Sequence, residues 1–161
     1  MLRHALVRRA RPADAPQLLG LMRELAAFED YLTSFAVDEP ALKRRAFGDE
    51  AQCQIFVVER EAALLGYAVA LTIPFTHDLR PTVRLKELYV KEGQRAQGLG
   101  RKLLGAVANW SLTEGAGRLH WDVLAGNRRA QAFYRRQGGR PVSKWLAYEM
   151  DDAALRLLQQ D

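Results

Sequence analysis

Three features of the 161-residue chain predict a single mixed α/β domain spanning residues 1–161. Apolar residues alternate in short runs, as at Leu119, Trp121 and Val123, which is the period of a strand. Elsewhere they recur every three to four residues, as at Leu18, Leu21, Met22, Leu25 and Phe28, the period of a helix. Between one run of each kind stands Gln94-Arg95-Ala96-Gln97-Gly98-Leu99-Gly100-Arg101, a glycine-containing strand-to-helix turn. Strands joined by short turns early in the chain are expected to be antiparallel. The strand–helix–strand unit around Gly98 is expected to be parallel.

The elements follow in order. Val7 opens an edge strand that ends at Arg11-Pro12. Asp14 is placed to cap a helix with Pro16 in its first turn, where a missing N–H costs little. Asp38 and Pro40 predict a second, shorter helix through Leu42 and Ala46. Gln54 to Glu59 reads as a strand, Arg60-Glu61-Ala62 as its turn, and Leu64 to Ile73 as its partner. Pro74 to Pro81 reads as a loop and Val83 to Val90 as the next strand. Leu99, Leu103, Leu104, Val107 and Trp110 mark one helix face, followed by the strand around Trp121. Asn127 is placed to cap a helix that Gly138-Gly139 closes. Trp145 to Met150 is expected to be a last strand, and Asp151 to cap a short tail helix.

Composition narrows the function classes. Apolar residues make up 48% of the chain and charged residues 27%, as in soluble globular proteins. No apolar run is long enough to span a bilayer, so no membrane association is expected. The N-terminal stretch Met1 to Arg9 has basic residues but no continuous apolar core, and is read as a first strand and not a signal peptide. The lone Cys53 excludes an intramolecular disulfide and a cysteine metal cluster, which fits a reducing cytoplasm. The net charge of +5 comes mostly from scattered arginines, with no basic run interleaved with aromatics. That pattern is a solvated surface and not a nucleic-acid footprint, while polyanionic small molecules stay open as partners. His4, His77 and His120 are too dispersed to form a metal site, and none is expected.

The turn around Gly98 carries the chemistry. Glycines there let backbone N–H groups converge, and the helix N-terminus adds partial positive charge, which together suit a phosphate or pyrophosphate. The order Leu88-Tyr89-Val90, Arg95-Ala96-Gln97-Gly98-Leu99-Gly100, Asn127, Phe133-Tyr134 resembles the GNAT superfamily of N-acetyltransferases over nearly the whole chain. Glu24 to Glu29, Trp121-Asp122-Val123-Leu124 followed by Asn127, then Gly138 and Trp145, are most similar to the spermidine/spermine (diamine) and thialysine N-acetyltransferases.

The resemblance implies a mostly antiparallel central sheet with flanking helices and a parallel strand pair at an acetyl-CoA site. It implies that Arg95, Ala96 and the backbone from Gln97 through Gly98, Leu99 and Gly100 to Arg101 cradle the pyrophosphate. The strand at Leu88, Tyr89 and Val90 would then lie along the pantetheine arm, with an N–H near Leu88 polarising the thioester carbonyl. Asn127 and Phe133 fall at cofactor positions, Asn127 also serving as a helix cap. Tyr134 falls where the family places the acid for the leaving thiolate, although helical spacing alone would make it a core aromatic. Arg135 and Arg136 either reach the CoA phosphates or form a solvated helix face. Ala96 departs from the family, which often has Gly there, and Ala does not adopt a positive φ cheaply.

Substrate residues are read from the same strand. Val83, Leu85, Glu87 and Tyr89 alternate on one face, and a carboxylate there is costly to bury without a partner. Glu87 is therefore either ion-paired to an arginine or is the carboxylate that binds the amine and takes its proton, directly or through water. An amine is protonated near pH 7 and must lose a proton before attack. Glu29, with Phe28 beside it, matches an acidic substrate residue of the diamine-type enzymes or is an exposed helix end. Lys86 stands where the family has an acid, which argues against a polyamine and for an amino-acid-like amine whose carboxylate meets Lys86 or Arg84. The expectation is an acetyl-CoA-dependent N-acetyltransferase acting on a primary amine of a small molecule, diamine- or polyamine-like or amino-acid-like, as a homodimer by resemblance. A protein or peptide N-acetyltransferase and a non-catalytic acyl-CoA-binding module are the alternatives.

Overall fold

The computed structural model describes residues 4–160; Met1 to Arg3 of the basic N-terminal stretch lie outside the described residues. The chain forms two compact units, one through Leu124 and one from Ala125 to Asp161.

The first unit is a five-stranded sheet in the order β1-β2-β3-β4-β5. In chain order it runs β1 (Leu6–Arg9), α1 (Ala15–Phe28), α2 (Glu39–Ala46), β2 (Gln54–Arg60), β3 (Ala63–Ile73), β4 (Thr82–Val90), α3 (Leu99–Thr113) and β5 (Arg118–His120). Strands β1 to β4 are antiparallel, and β4 pairs β5 in parallel. The apolar periods explain the layers. Ile55, Val57, Tyr67, Val69 and Tyr89 share one sheet face and form a core with Leu18, Leu21, Met22 and Leu25 of α1 and Leu42 of α2. On the other face Trp110 of α3 meets Phe56 edge-on at 6.5 Å. Gly66 lets α3 and β4 close in: a Cβ there would lie 2.6 Å from the Tyr89 carbonyl oxygen and 3.3 Å from Leu103 Cδ1.

Local chemistry sets the ends. Asp38 caps α2 by accepting the Ala41 N–H at 2.8 Å. Asp14, expected to cap α1, does other work. Its carboxylate takes the Arg11 N–H at 2.7 Å and both ends of the Arg8 guanidinium at 2.8 and 2.9 Å. Arg8 also reaches Glu59 at 2.8 Å, so one cation ties β1, the start of α1 and β2 together. Strand β5 is shorter than the alternation through Val123 predicts. Its ladder with β4 ends at Arg84 opposite His120, two residues before a bulge that bends β4.

The second unit holds α4 (Arg128–Arg136) and α5 (Asp152–Gln159). Asn127 caps α4 at the Ala130 N–H, 3.1 Å away, and Asp151 caps α5 at the Ala154 N–H, 2.9 Å away. Gly138, at φ 94°, closes α4 as expected. The strand expected over Trp145–Met150 is not formed. Alternation prepares a segment for pairing, but a strand exists only through its neighbour, and no described strand pairs with this one. Trp145, Leu146 and Tyr148 are 71%, 80% and 93% exposed.

Candidate active site

The register between β3 and β4 decides where Glu87 points. Val69 faces Glu87 and Ala70 faces Leu85, so Lys86 is an extra residue with no cross-strand partner. Such a bulge reverses the alternation that follows it. Val83 and Leu85 thus share a face with Thr72 and Ala70, while Glu87 and Tyr89 share the opposite face with Val69 and Tyr67. The expectation that Val83, Leu85, Glu87 and Tyr89 line one face is corrected by this single inserted residue. The arginine partner considered for Glu87 is also replaced: the Tyr67 hydroxyl donates to Glu87 Oε1 at 2.9 Å.

The surroundings of Glu87 shape its proton affinity. Burial pushes the Glu87 carboxyl above the usual range; the Tyr67 bond and the Lys86 charge pull it back, and Glu29 pushes it up again. Burial likewise raises Glu29, against the pull of Lys86. Tyr31 is pushed up to about 12 by burial and by the charges of Glu87 and Glu29. The Cys53 thiol is raised by burial and by Glu87. A carboxylate whose proton affinity is lifted toward neutrality suits general-base work. Lys86 itself is exposed, whereas Arg84 is ion-paired with Asp122.

Phe28, at the end of α1, is half exposed, and the Arg95 guanidinium lies 5.7 Å from both its ring and that of Tyr89. Arg95 Nε donates to the Val90 carbonyl at 3.0 Å. The Arg95 side chain is thereby engaged within the first unit, between the helix end that carries Phe28 and Glu29 and the strand end that precedes the turn.

The turn before α3 carries two left-handed residues, Ala96 at φ 66° and Gly98 at φ 75°. Gly98 is the N-cap and provides no side-chain cap, so the first N–H groups of this 15-residue helix meet no side-chain acceptor of their own. Uncapped N–H groups and the helix dipole suit a phosphate group. Leu99 is buried in the core, so only its backbone faces the turn. Arg60 braces the turn from β2, donating to Gln94 Oε1 at 3.4 Å and Gln97 Oε1 at 3.1 Å. Gln97, Gly98 and Arg101 are exposed, and Gly100 is half-buried. Beyond Arg84, the edge of β4 away from β3 has no described strand beside it, which leaves one side of Leu88, Tyr89 and Val90 without a ladder.

The other expected residues lie in the second unit. Asn127 caps α4, and Phe133 and Tyr134 on α4 have ring centroids 5.3 Å apart. Arg136 is exposed in the last turn of α4. Sequence reasoning missed Tyr67, Tyr31 and Cys53. Tyr67 read as one more core position of an apolar strand. The signal was its hydroxyl, which must find a partner when buried.

Among the described residues no group of three or more His, Cys, Asp or Glu is placed to hold a metal ion, and no helix is long and apolar enough to cross a membrane.

The sequence and the overall fold both match known proteins. Residues 22–139 match the model of the acetyltransferase (GNAT) family. The chain belongs to this family and is an N-acetyltransferase. It is 28% identical over 164 residues to thialysine N-epsilon-acetyltransferase of Sus scrofa, covering 95% of this chain and 96% of the relative. Its fold is similar to that of an integron cassette protein from the mobile metagenome of V. cholerae, with a TM-score of 0.81 and 21% identity over 98% of each chain. It is also similar in fold to aminoglycoside N-acetyltransferase AAC(6')-Iy in complex with CoA, with a TM-score of 0.76 and 18% identity over 93% of this chain and 97% of that one. Acetyltransferases of this family use acetyl-CoA.

Proposed function

We propose that the protein transfers an acetyl group from acetyl-CoA to the primary amine of a small molecule of amino-acid type. The observation that carries this reading is the set Glu29, Lys86 and Glu87. It offers two carboxylates of raised proton affinity for an ammonium, Glu87 partly buried and Glu29 exposed, and beside them an exposed ammonium for a carboxylate. A polyamine has no group to meet Lys86. The family membership and the thialysine-acetylating relative support the same class of acceptor.

Acetyl-CoA supplies the acyl group already activated on a thiolate leaving group. The turn from Arg95 and Ala96 through Gln97, Gly98, Leu99, Gly100 and Arg101 holds its pyrophosphate by backbone N–H groups. The unladdered edge at Leu88, Tyr89 and Val90 offers backbone groups to the pantetheine arm, and an N–H near Leu88 polarises the carbonyl. Asn127, Phe133 and Arg136 take their cofactor roles from the motif order. Glu87, directly or through water, accepts the proton of the acceptor ammonium, which frees the nitrogen lone pair for attack. Tyr134 gives its proton to the departing sulfur, and the second proton shed by the attacked nitrogen restores the phenol. Phe28 and Glu29 line the acceptor side. One domain, acting as a cytoplasmic homodimer without nucleic acid or membrane, completes the reading; the lone Cys53 supports the compartment and the family resemblance supports the dimer.

The test is release of free CoA thiol across polyamines, thialysine, other amino acids, aminoglycosides and short peptides. Selective turnover of amino-acid amines is expected; equal turnover of spermidine would refute the role given to Lys86. Tyr134→Phe is expected to lose turnover and keep acetyl-CoA binding by calorimetry. A wild type that binds acetyl-CoA yet acetylates nothing in the panel would turn the reading to a binding module.

A further inference from the structure

Tyr67 is fully buried in the core of the α1 face, with its ring 6.3 Å from that of Tyr89. A phenylalanine would fill that space equally well. The hydroxyl is the costly part, since a buried O–H requires a partner. Its partner is Glu87 Oε1 at 2.9 Å. Tyr67 lies opposite Tyr89 and Val69 opposite Glu87, so Tyr67 and Glu87 are diagonal neighbours on adjacent strands of the sheet interior. Strand positions of this kind hold a side chain more firmly than loop positions. A glutamate carboxyl is otherwise loosely defined about its last torsion.

Resting on the function proposed above, we infer that Tyr67 is the positioning residue of the acceptor site: its hydroxyl engages Glu87 Oε1, orients the carboxylate, and leaves Oε2 to receive the acceptor's proton. The bond also opposes the effect of burial by favouring the ionised form of Glu87. The groups facing Glu87 are Tyr67 from β3, Lys86 beside it on β4, Glu29 and Tyr31 after α1, and Cys53 before β2. Tyr67, Tyr31 and Cys53 are all raised above their usual values, which leaves Glu87 and Glu29 as the members of the set that titrate in acid.

The test compares wild type with Tyr67→Phe by two readouts. One is the ¹³C carboxyl titration of Glu87, assigned with Glu87→Gln. The other is the acid limb of kcat/KM with thialysine as acceptor, at fixed saturating acetyl-CoA. Loss of a hydrogen bond to a charged group is expected to raise the Glu87 midpoint by roughly one pH unit, tenfold in proton affinity. The acid limb moves up by the same amount, while KM for acetyl-CoA stays put. A residue that merely packs would lower Tm and leave both readouts where they were, which overturns the inference. A midpoint that moves without the limb overturns it too, because Glu87 would then not be the acceptor's base. If no amino-acid amine of the panel, thialysine included, is turned over, the proposed function fails, and the carboxyl titration still decides whether Tyr67 holds Glu87. Should Tyr67→Phe not fold, Tyr67→3-fluorotyrosine, a stronger donor of the same shape, is expected to move the midpoint downward, and an unmoved midpoint refutes the inference.

Discussion

Arg8→Met removes one cation from between two carboxylates and isolates the effect of the tie across β1, α1 and β2. In the wild type Arg8 Nη1 and Nη2 reach Asp14 at 2.8 and 2.9 Å, and Nη2 reaches Glu59 at 2.8 Å. The Asp14 side chain is only 8% exposed, against 18% for Arg8 and 22% for Glu59. After the substitution Asp14 keeps the Arg11 N–H alone. Stranding one partner of a buried ion pair costs about 3–5 kcal/mol. Two features of the cluster lower that figure. Glu59 can hydrate once freed, and Arg8 Nε is already buried with no hydrogen-bond partner. The expected loss is therefore about 3 kcal/mol, or a fall in Tm of about 6–12 °C for a chain of this size. Arg8 holds the Asp14 carboxyl below its usual range, so its folded pKa lies under the unfolded one. The pair's contribution is thus complete above the unfolded value, about pH 4, and disappears as pH falls through the lower folded value. Urea denaturation at neutral pH and again in acid measures both parts. A gap between the two proteins below about 1 kcal/mol at pH 7 would refute the reasoning, and so would a gap that does not narrow in acid.

Two further substitutions test the backbone. Ala96→Gly is expected to stabilise the protein by about 0.5–1 kcal/mol, because relief of a left-handed alanine exceeds the added unfolded freedom of glycine. Urea denaturation checks it, calorimetry should show acetyl-CoA bound at least as tightly, and a destabilised variant would contradict the strain. Gly66→Ala drives a Cβ to 2.6 Å from the Tyr89 carbonyl oxygen and is expected to cost about 1–3 kcal/mol, read as a lowered Tm. A Tm equal to wild type would show that β4 yields without penalty.

The elements with strong periodicity, α1, β2, β3, β4 and α3, were legible because their apolar faces and their turns agree. Asp38, Asn127 and Asp151 were legible as caps for the same local reason, and the turn at Gly98 through its strand and helix flanks. What the sequence did not disclose depends on partners far along the chain. Asp14 looked like a cap until Arg8 and Glu59 were placed beside it. The stretch from Trp145 to Met150 alternates like a strand yet has no described strand to pair with. The face on which Glu87 lies could not be read at all, since a bulge is a relation between two strands and leaves no mark in one of them. Tyr67 escaped notice because in an apolar strand a tyrosine and a phenylalanine look alike until the hydroxyl's neighbour is known.

The bulge has a consequence for how such an enzyme changes its selectivity. At position 86 it is the missing partner on β3 that matters to the sheet, and not which residue stands there. A residue inserted into β3 opposite Lys86 would close the bulge and turn Glu87 to the face of Val83 and Leu85, whereas replacing Lys86 disturbs no cross-strand pair. On the function proposed above, the charge offered to the acceptor is therefore uncoupled from the strand register that places Glu87. The same reading lets position 86 exchange acid for lysine, and with it one class of amine for another, while β4 stays in register.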